Sequence, residues 1–292
     1  MGIGLIKPVM TFAKLPTILD RILADVREEI AEAKRSRSRE DLRGMIADAP
    51  PVRLLTEVLE DKFGLIAEIK ASSPSVGAMR AENVSQAADA YEESLIVRAL
   101  SVLTNRRHFG GSMERLGEIR EHSTKPVLRK DFIVDEYQIR EARAFGADAI
   151  LLMASVLDAP RLKGFHELTL ELGMQALFEV HDEEEVAALP MNARVVGINS
   201  RRFKAPVESS GFASIGREGS SDKDFSIRLE TFELVDCLPE GTIRIAESGL
   251  DAGNITSVRE RFHAALVGTS LLRDPAGVRK GLSAFEEALA SS

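Results

Sequence analysis

Short apolar runs alternate along this chain with longer stretches in which apolar residues recur at helical spacing. The eight runs are LIAEIK, ALSVLT (99–104), PVLRK, DAILLM (148–153), ALFEV, VVGIN, IRIAES and AALVGTS. The stretches that follow them include SQAADAYEESL, DEYQIREARAFG, DEEEVAAL and DAGNITSVRERFHAAL. Eight strand-then-helix units predict an α/β fold of the (β/α)8 TIM-barrel type.

A doubly wound open sheet is the structural alternative, because it also alternates strands with helices. That fold predicts a glycine-rich loop after the first strand, and KASSPSVG lacks the GxGxxG spacing. The length of 292 residues fits one barrel with modest additions. We therefore predict a single domain over residues 1–292.

Two additions to the barrel are predicted. Ile18, Ile22, Val26 and Ile30 recur every four residues and mark one apolar helical face, so an extra N-terminal helix is expected within a helical extension, 1–45. Residues 205–224 are rich in Ser and Gly and have no periodicity, which indicates an inserted loop after strand 6. Whether this loop is an ordered lid over the site, a binding element or a disordered spacer stays open.

Charged residues end several of the predicted strands. Parallel strands of a barrel direct their carboxyl ends toward one rim, so two cations and three carboxylates are expected to meet there. Such a group suits proton transfer together with anion binding. Ion pairs that only close the barrel are the alternative, which five buried charges make improbable. The five are Glu68, Lys70, Lys130, Glu179 and Glu247.

The last two strands end in AESGL and VGTSL. Gly249 and Gly268 would let backbone N–H groups approach a ligand closely, with Ser248 and Thr269 beside them. Phosphate commonly lies at this position in barrels. A phosphate-binding site is therefore favoured over two coincidental turns.

Composition restricts the partners and the compartment. A formal net charge of −8 gives no general basic surface, so we expect no nucleic-acid binding. Cys237 is the only cysteine and is expected to be a buried small apolar residue in a reducing compartment. The opening MGIGLIKPVM is broken by Lys7 and Pro8, so we expect no signal peptide or membrane span and a cytoplasmic protein.

The histidines are scattered, and none has a Cys or His partner at metal-ligand spacing, so no metal site is predicted. His181 precedes a DEEE segment and is interpreted as a capping or surface residue. The chain has no G-x-S-x-G elbow and no Ser-His-Asp arrangement.

Taken together, these segments resemble the indole-3-glycerol phosphate synthase family, the ring-closing enzymes of tryptophan biosynthesis. The resemblance extends over nearly the whole chain, and its longest part, PVLRKDFIVDEYQ, is specific. The matching segments are IAEIKASSPS, ALSVLTN with HFGGS, PVLRKDFIVDEYQIREARAFGADAILLM, FEVHDEEE, VGINSR, AESGL and LVGTSLLRDP.

The resemblance implies conversion of 1-(2-carboxyphenylamino)-1-deoxyribulose 5-phosphate into indole-3-glycerol phosphate, carbon dioxide and water, without metal or cofactor. It implies that Lys130 is the general acid and Glu179 the general base, assisted by Glu68 and Lys70. The implied substrate-binding residues are Asn199 and Arg201 for the hydroxyl and carboxylate ends, Glu247 for orientation, Pro74 and Phe132 for the aromatic ring, and Ser73, Ser248, Gly249, Gly268 and Thr269 for the phosphate.

Three departures from the family pattern stand out. YEESLIVRALSV has an extra residue and no glycine before the second strand, so the turn there is expected to differ. Val76 occupies a position that is often lysine, which would weaken attraction of an anionic substrate. The insertion at 205–224 follows the strand that carries Asn199 and is expected to affect access or specificity.

Two other functions stay open on the sequence alone. One is a divergent phosphosugar isomerase or lyase on the same barrel, and the other is a non-catalytic paralogue that binds a phosphate ligand. Retention of all the acid and base candidates favours the synthase. The expected partners are an anionic phosphosugar substrate and, through the resemblance, other enzymes of the tryptophan pathway.

Overall fold

The computed structural model describes residues 17–201 and 226–291. Within them, eight parallel strands close into a barrel, each paired with the next and the last with the first. The barrel confirms the predicted fold, and all eight apolar runs form its strands. The strands are β1 (Gly64–Ile69), β2 (Val97–Leu103), β3 (Val127–Lys130), β4 (Ala149–Met153), β5 (Gln175–Val180), β6 (Val195–Asn199), β7 (Ile243–Glu247) and β8 (Ala264–Val267).

Helices surround the barrel and cover its ends. A short hairpin, Ser72–Ser73 with Gly77–Ala78, follows β1, and two 3-10 segments span Leu229–Cys237 and Ile255–Ser257. The α-helices are α1 (Ile18–Ser36), α2 (Arg39–Asp48), α3 (Leu55–Leu59), α4 (Ala81–Glu93), α5 (Arg106–Phe109), α6 (Met113–His122), α7 (Glu136–Ala144), α8 (Ala159–Glu171), α9 (Glu183–Ala187), α10 (Thr269–Leu272) and α11 (Val278–Ala290).

Alternation along each strand divides the core into two parts. In β1, Leu65, Ala67 and Ile69 belong to the apolar shell between strands and helices, whereas Ile66 belongs to the barrel interior. Side chains of a strand point to opposite faces in turn, so Glu68 faces inward with Ile66. The same alternation directs the last inward residue of each strand to the carboxyl end of the barrel.

The N-terminal helix α1 packs with residues at that carboxyl end. It begins with a capping box between Thr17 and Asp20. Its buried face includes Val26, in the same apolar cluster as Phe109 and Phe132, which follow β2 and β3. The periodicity prediction was right except that Ile18 is half-buried and Leu19 takes its place in the core.

The pairing of β1 with β2 contains a β-bulge. Leu65 pairs with Val97 but Ile66 pairs with Ala99, so Arg98 has no opposite residue on β1. The irregularity lies at the amino end of β2, and the pairing from Ala99 onward is regular. The extra residue and the altered turn relative to the family stay predictions.

The helix predicted over 251–266 does not form. Asp251 Oδ1 accepts from the Gly253 N–H at 2.8 Å, and Asn254 Oδ1 accepts from the Asp251 N–H at 2.9 Å. These side chains compete with helical hydrogen bonds. Residues 251–263 instead form turns and one short 3-10 element, and the last three residues of the segment belong to β8.

Cys237 is exposed, so its predicted burial was wrong. It ends the 3-10 segment Leu229–Cys237, where three residues make one turn. That spacing buries Phe232, Val235 and Leu238 on one face and leaves Cys237 outside.

Neither addition is described in full. Residues 1–16 of the predicted extension and the predicted loop at 205–224 lie outside the described residues, and the single-domain boundary over 1–292 stays a prediction. Among the helices that the structure describes, none is long and apolar enough to cross a membrane.

Candidate active site

The polar strand ends meet in one cavity of about 390 Å³ at the carboxyl end of the barrel. The convergence expected from the sequence is confirmed, because every predicted site residue lines this cavity. They are Glu68, Lys70, Ser73, Pro74, Lys130, Phe132, Glu179, Asn199, Arg201, Glu247, Ser248, Gly249, Gly268 and Thr269.

Lys130, the last residue of β3, is the centre of the charged group. Its Nζ lies 3.1 Å from Glu179 Oε2 and 3.0 Å from Glu247 Oε2, so it bridges the ends of β5 and β7. Burial disfavours the charged amine, but Glu247 and Glu179 outweigh burial and hold the pKa of Lys130 well above its usual range. The amine therefore carries a proton at neutral pH.

The two bridged carboxylates differ in basicity. Burial raises the pKa of Glu247 to about 7, with Glu179 adding to the rise and Lys130 opposing it. Burial also acts to raise the pKa of Glu179, but Lys130 and His181 outweigh it and bring the pKa below its usual value. The pair thus holds one firmly ionised carboxylate beside one that exchanges a proton near neutral pH.

Both carboxylates have an oxygen that accepts no hydrogen bond from the described residues. In the described part of the chain, Glu179 Oε1 and Glu247 Oε1 are buried and have no hydrogen-bond partner. Buried acceptors are rarely left in this state unless a ligand or water completes them.

A second ion pair lies at the end of β1. Lys70 Nζ donates to Glu68 Oε1, and both side chains are buried. Burial tends to raise the pKa of Glu68, but Lys70 and Lys130 together bring it below its usual value. A Cβ on Gly268 would lie 2.5 Å from Glu68 Oε1, so β8 needs glycine there to let this carboxylate fit.

Arg201 closes the side of the cavity between β6 and the hairpin after β1. Its Nη1 donates to Ser75 Oγ at 2.9 Å, and Ser75 Oγ is 2.9 Å from Ser73 Oγ. The side-chain oxygen of Asn199 accepts from the Arg201 N–H at 3.0 Å. Val76, in the position that is often lysine, also lines the cavity, and its carbonyl accepts from Arg273 at 3.2 Å.

Left-handed backbone follows β7. Ser248 has φ of 71° and Gly249 has φ of 72°. A Cβ on Gly249 would lie 2.6 Å from Ile227, so the turn requires glycine both for its φ and for space. Ser200 Oγ donates to the Ser248 carbonyl at 3.0 Å and stabilises the turn.

Ser270 was missed by the sequence analysis. It lines the cavity directly after Thr269, and its buried hydroxyl has no hydrogen-bond partner within the described residues. Its place in the VGTSL motif, next to a predicted binding residue, was the signal that could have found it.

Part of the cavity lining is apolar. The Phe132 ring is buried and lies 6.4 Å from the Phe109 ring, centroid to centroid. Pro74, Leu103 and Met153 complete this apolar wall. The site therefore joins a charged centre to a surface that suits an aromatic group.

Comparison with known proteins identifies the family. The family model of indole-3-glycerol phosphate synthase matches residues 19–206. An indole-3-glycerol phosphate synthase of Nocardioides sp. is 36% identical, over 92% of this chain and 99% of the relative. Those of Kineococcus radiotolerans and Neisseria gonorrhoeae are 38% and 37% identical, over 88% and 90% of this chain and 90% and 98% of theirs. The chain belongs to the indole-3-glycerol phosphate synthase family.

Membership makes the chain a carboxy-lyase, and nothing favours the isomerase or the non-catalytic paralogue over a synthase.

His181 is buried next to the cavity, so its interpretation as a surface residue was wrong. It is not the N-cap of α9, although its N–H and its ring both contact Glu185 in the first turn of that helix. It follows β5 two residues after Glu179, and its Nε2 lies 3.6 Å from Glu179 Oε1. Two positions along an extended chain share a face, which was the available signal. Asp182, the next residue, caps α9 instead.

Gly197 lies behind the Glu247 carboxylate and was also not singled out by the sequence. It lies within β6, where a Cβ would be 1.9 Å from Glu247 Oε1. A glycine inside a strand marks the close approach of another group, and VVGIN carried that signal.

Proposed function

We propose that this chain is an indole-3-glycerol phosphate synthase that converts 1-(2-carboxyphenylamino)-1-deoxyribulose 5-phosphate into indole-3-glycerol phosphate, carbon dioxide and water. The observation that carries the proposal is Lys130, buried between Glu179 and Glu247 in a cavity with an apolar wall. Ring closure needs an acid at the carbonyl oxygen, a base for the proton removed later and a dry pocket for the aryl group.

The phosphate group is assigned to the turns after β7 and β8. Backbone there is shaped by Ser248, Gly249 and Gly268, and the Thr269 and Ser270 side chains lie beside it. Peptide N–H groups and hydroxyls bind phosphate oxygens without a titrating side chain. Ser73 contributes from the hairpin after β1. Anchoring the phosphate supplies positioning energy far from the reacting carbons.

The aryl ring is assigned to the apolar wall formed by Pro74 and Phe132. Asn199 and Arg201 then face the hydroxyl and carboxylate ends. Burial lowers the pKa of Arg201 from its usual value, but an arginine stays protonated at neutral pH and can bind a carboxylate with two N–H groups.

Lys130 is proposed as the general acid. The substrate carbonyl oxygen would take the place of one carboxylate at Nζ and receive its proton as the aryl carbon attacks the carbonyl carbon. Carbon dioxide then leaves from the ring carbon that formed the new bond. Glu247 orients the intermediate through its contact with Lys130.

Glu179 is proposed as the general base that accepts the proton removed during the later loss of water. Its pKa below the usual value keeps it ionised before turnover. Glu68 and Lys70 assist, and the lysine also holds an anionic part of the substrate. No metal or cofactor is required by this chemistry.

The direct test is a fluorescence assay of the purified chain with this substrate in the presence of a metal chelator. The chain has no tryptophan, so indole emission from the product stands out from the protein. Product formation would support the proposal. Tight substrate binding without product would contradict it and favour a binding protein.

The cellular setting is also part of the proposal. A single cysteine fits a reducing compartment such as the cytoplasm. Other tryptophan-pathway enzymes are the proposed neighbours. Cell fractionation with co-purification from the same extract tests both points.

A further inference from the structure

His181 and Lys130 approach opposite oxygens of Glu179. Lys130 Nζ lies 3.1 Å from Oε2, and His181 Nε2 lies 3.6 Å from Oε1. The proposed mechanism uses Lys130 but gives no task to this histidine, whose side chain is almost completely buried. A buried imidazole beside a proposed base calls for a physical account.

Glu185 holds the other edge of the imidazole. Its Oε2 lies 2.9 Å from His181 Nδ1 and accepts from the His181 backbone N–H at 2.8 Å. Glu185 itself is in the first turn of α9, where its N–H donates to the capping Asp182 at 3.0 Å. The start of α9 therefore fixes the ring orientation and turns Nε2 toward Glu179.

Carboxylates on three elements face the imidazole. Glu179 on β5, Glu185 on α9 and Glu247 on β7 favour the imidazolium form. Lys130 on β3, which contacts Glu179 and Glu247, carries the opposite charge to theirs. Burial acts to lower the pKa of His181, but Glu185 and Glu179 outweigh it and raise the pKa above its usual value. The ring therefore adds positive charge next to the proposed base.

We propose that His181 is a positioning residue for Glu179, whose imidazolium, oriented by Glu185, fixes the Oε1 side of that carboxylate and keeps it ionised for proton acceptance. This inference rests on the proposed function, because it assumes that Glu179 is the base. A purely structural role, in which His181 only ties β5 to α9, is the alternative.

The test is the pH dependence of kcat/KM in His181→Gln and Glu185→Gln. Glutamine at 181 keeps a hydrogen-bond donor but removes the positive charge, so the pKa of the base rises. The acid limb, which belongs to the coupled Glu179 and Glu247 pair, should move to higher pH by about one unit. Along that limb, kcat/KM should fall about tenfold, with little change at high pH.

Glu185→Gln should also move the acid limb to higher pH, but by less than His181→Gln does. His181 remains in this variant but loses the carboxylate that favours its charged form. This variant preserves the side-chain shape and serves if His181→Gln fails to fold. His122→Gln is the control, because His122 is exposed and pairs with Asp89 on the surface, and its profile should match the unsubstituted chain. A uniform loss of activity with an unmoved acid limb in both test variants would overturn the inference.

An NMR titration of His181 gives a readout that does not depend on turnover. With five histidines in the chain, loss of one imidazole signal in His181→Gln assigns the resonance. Glu179→Gln should lower the measured pKa of His181, and an unchanged pKa would overturn the inference. Failure of the unsubstituted chain to form product would contradict the proposed function, while this titration would still decide whether His181 and Glu179 are coupled.

Discussion

Both ends of the barrel bury charged side chains, but they satisfy them to different degrees. At the amino end, Asp148 accepts from the Arg53 and Val127 N–H groups, each at 2.8 Å, and lies 3.0 Å from Arg120 Nε. At the carboxyl end, Glu179 and Glu247 share Lys130, and each keeps one oxygen without a hydrogen-bond partner among the described residues.

This difference distinguishes a structural cluster of charges from a candidate active site. Burying a carboxylate is costly, and burial raises the pKa of Asp148 above its usual value. The donors around Asp148 offset part of that cost within the folded chain itself. The carboxylates around Lys130 are left incomplete, which lowers stability but leaves acceptors for a ligand. Among the carboxylates that the structure describes, Glu179 and Glu247 are those with a buried oxygen that lacks a hydrogen-bond partner. Unused acceptor oxygens, rather than buried charge alone, therefore separate the site from the Asp148 cluster.

The largest expected effect is on turnover when the central charge is removed. Lys130→Met keeps the length of the side chain but removes the proposed acid, so kcat should fall about 10³-fold or more. Substrate affinity should change far less, because the phosphate and aryl contacts remain. Single-turnover product formation and equilibrium substrate binding measure the two quantities separately, and near-normal kcat would refute the assigned role.

At the amino end the expected loss is in stability. Asp148→Asn removes a charge that Arg120 needs and should lower the free energy of unfolding by about 3 kcal/mol. The kcat should stay within about threefold, since the site lies at the other end of the strands. Urea unfolding is the measurement. Asp236→Asn, at an exposed pair with Arg261, should cost no more than about 1 kcal/mol.

A smaller loss of activity is expected when a side chain is added to Gly197 of β6, next to the Glu247 carboxylate. Gly197→Ala places a methyl group where the carboxylate lies, so Glu247 must move away from Lys130. We expect kcat to fall about tenfold while stability falls by only about 1–2 kcal/mol, because a flexible side chain can shift. Steady-state kinetics with urea unfolding would detect this, and unchanged kinetics would remove Glu247 from the proposed mechanism.

The smallest effect on stability is expected for a glycine that belongs to neither charged cluster. Gly164 is exposed within α8, and no other heavy atom lies within 4 Å of the position that a Cβ would take there. Gly164→Ala should raise the free energy of unfolding by about 0.5–1 kcal/mol through helix propensity, with unchanged kinetics. A loss of stability in urea unfolding would show that α8 is not a regular helix at this position.

The eight strands were predictable because buried parallel strands are short continuous apolar runs, and their polar ends mark the rim. The site could be assembled from the sequence for the same reason. Lys130, Glu179 and Glu247 lie far apart in the chain, but each is the last inward position or close to it on its own strand.

Local contacts explain the structural features that the sequence pattern did not predict. The segment 251–266 has helical spacing, but Asp251 and Asn254 bind the backbone and prevent the helix. The burial of His181 depends on the position of α9, and the exposure of Cys237 depends on three residues per turn in its segment. Charge composition and residue averages carry no information on these contacts.

The bulge at Arg98 has a consequence for how such a chain tolerates changes in length. An added residue within a regular strand would send every later side chain to the opposite face. Here the register shift lies before Ala99, so the positions of β2 from Ala99 to the rim pair regularly with β1. A change of length at the amino end of a strand can therefore be absorbed there without moving the residues that line the cavity.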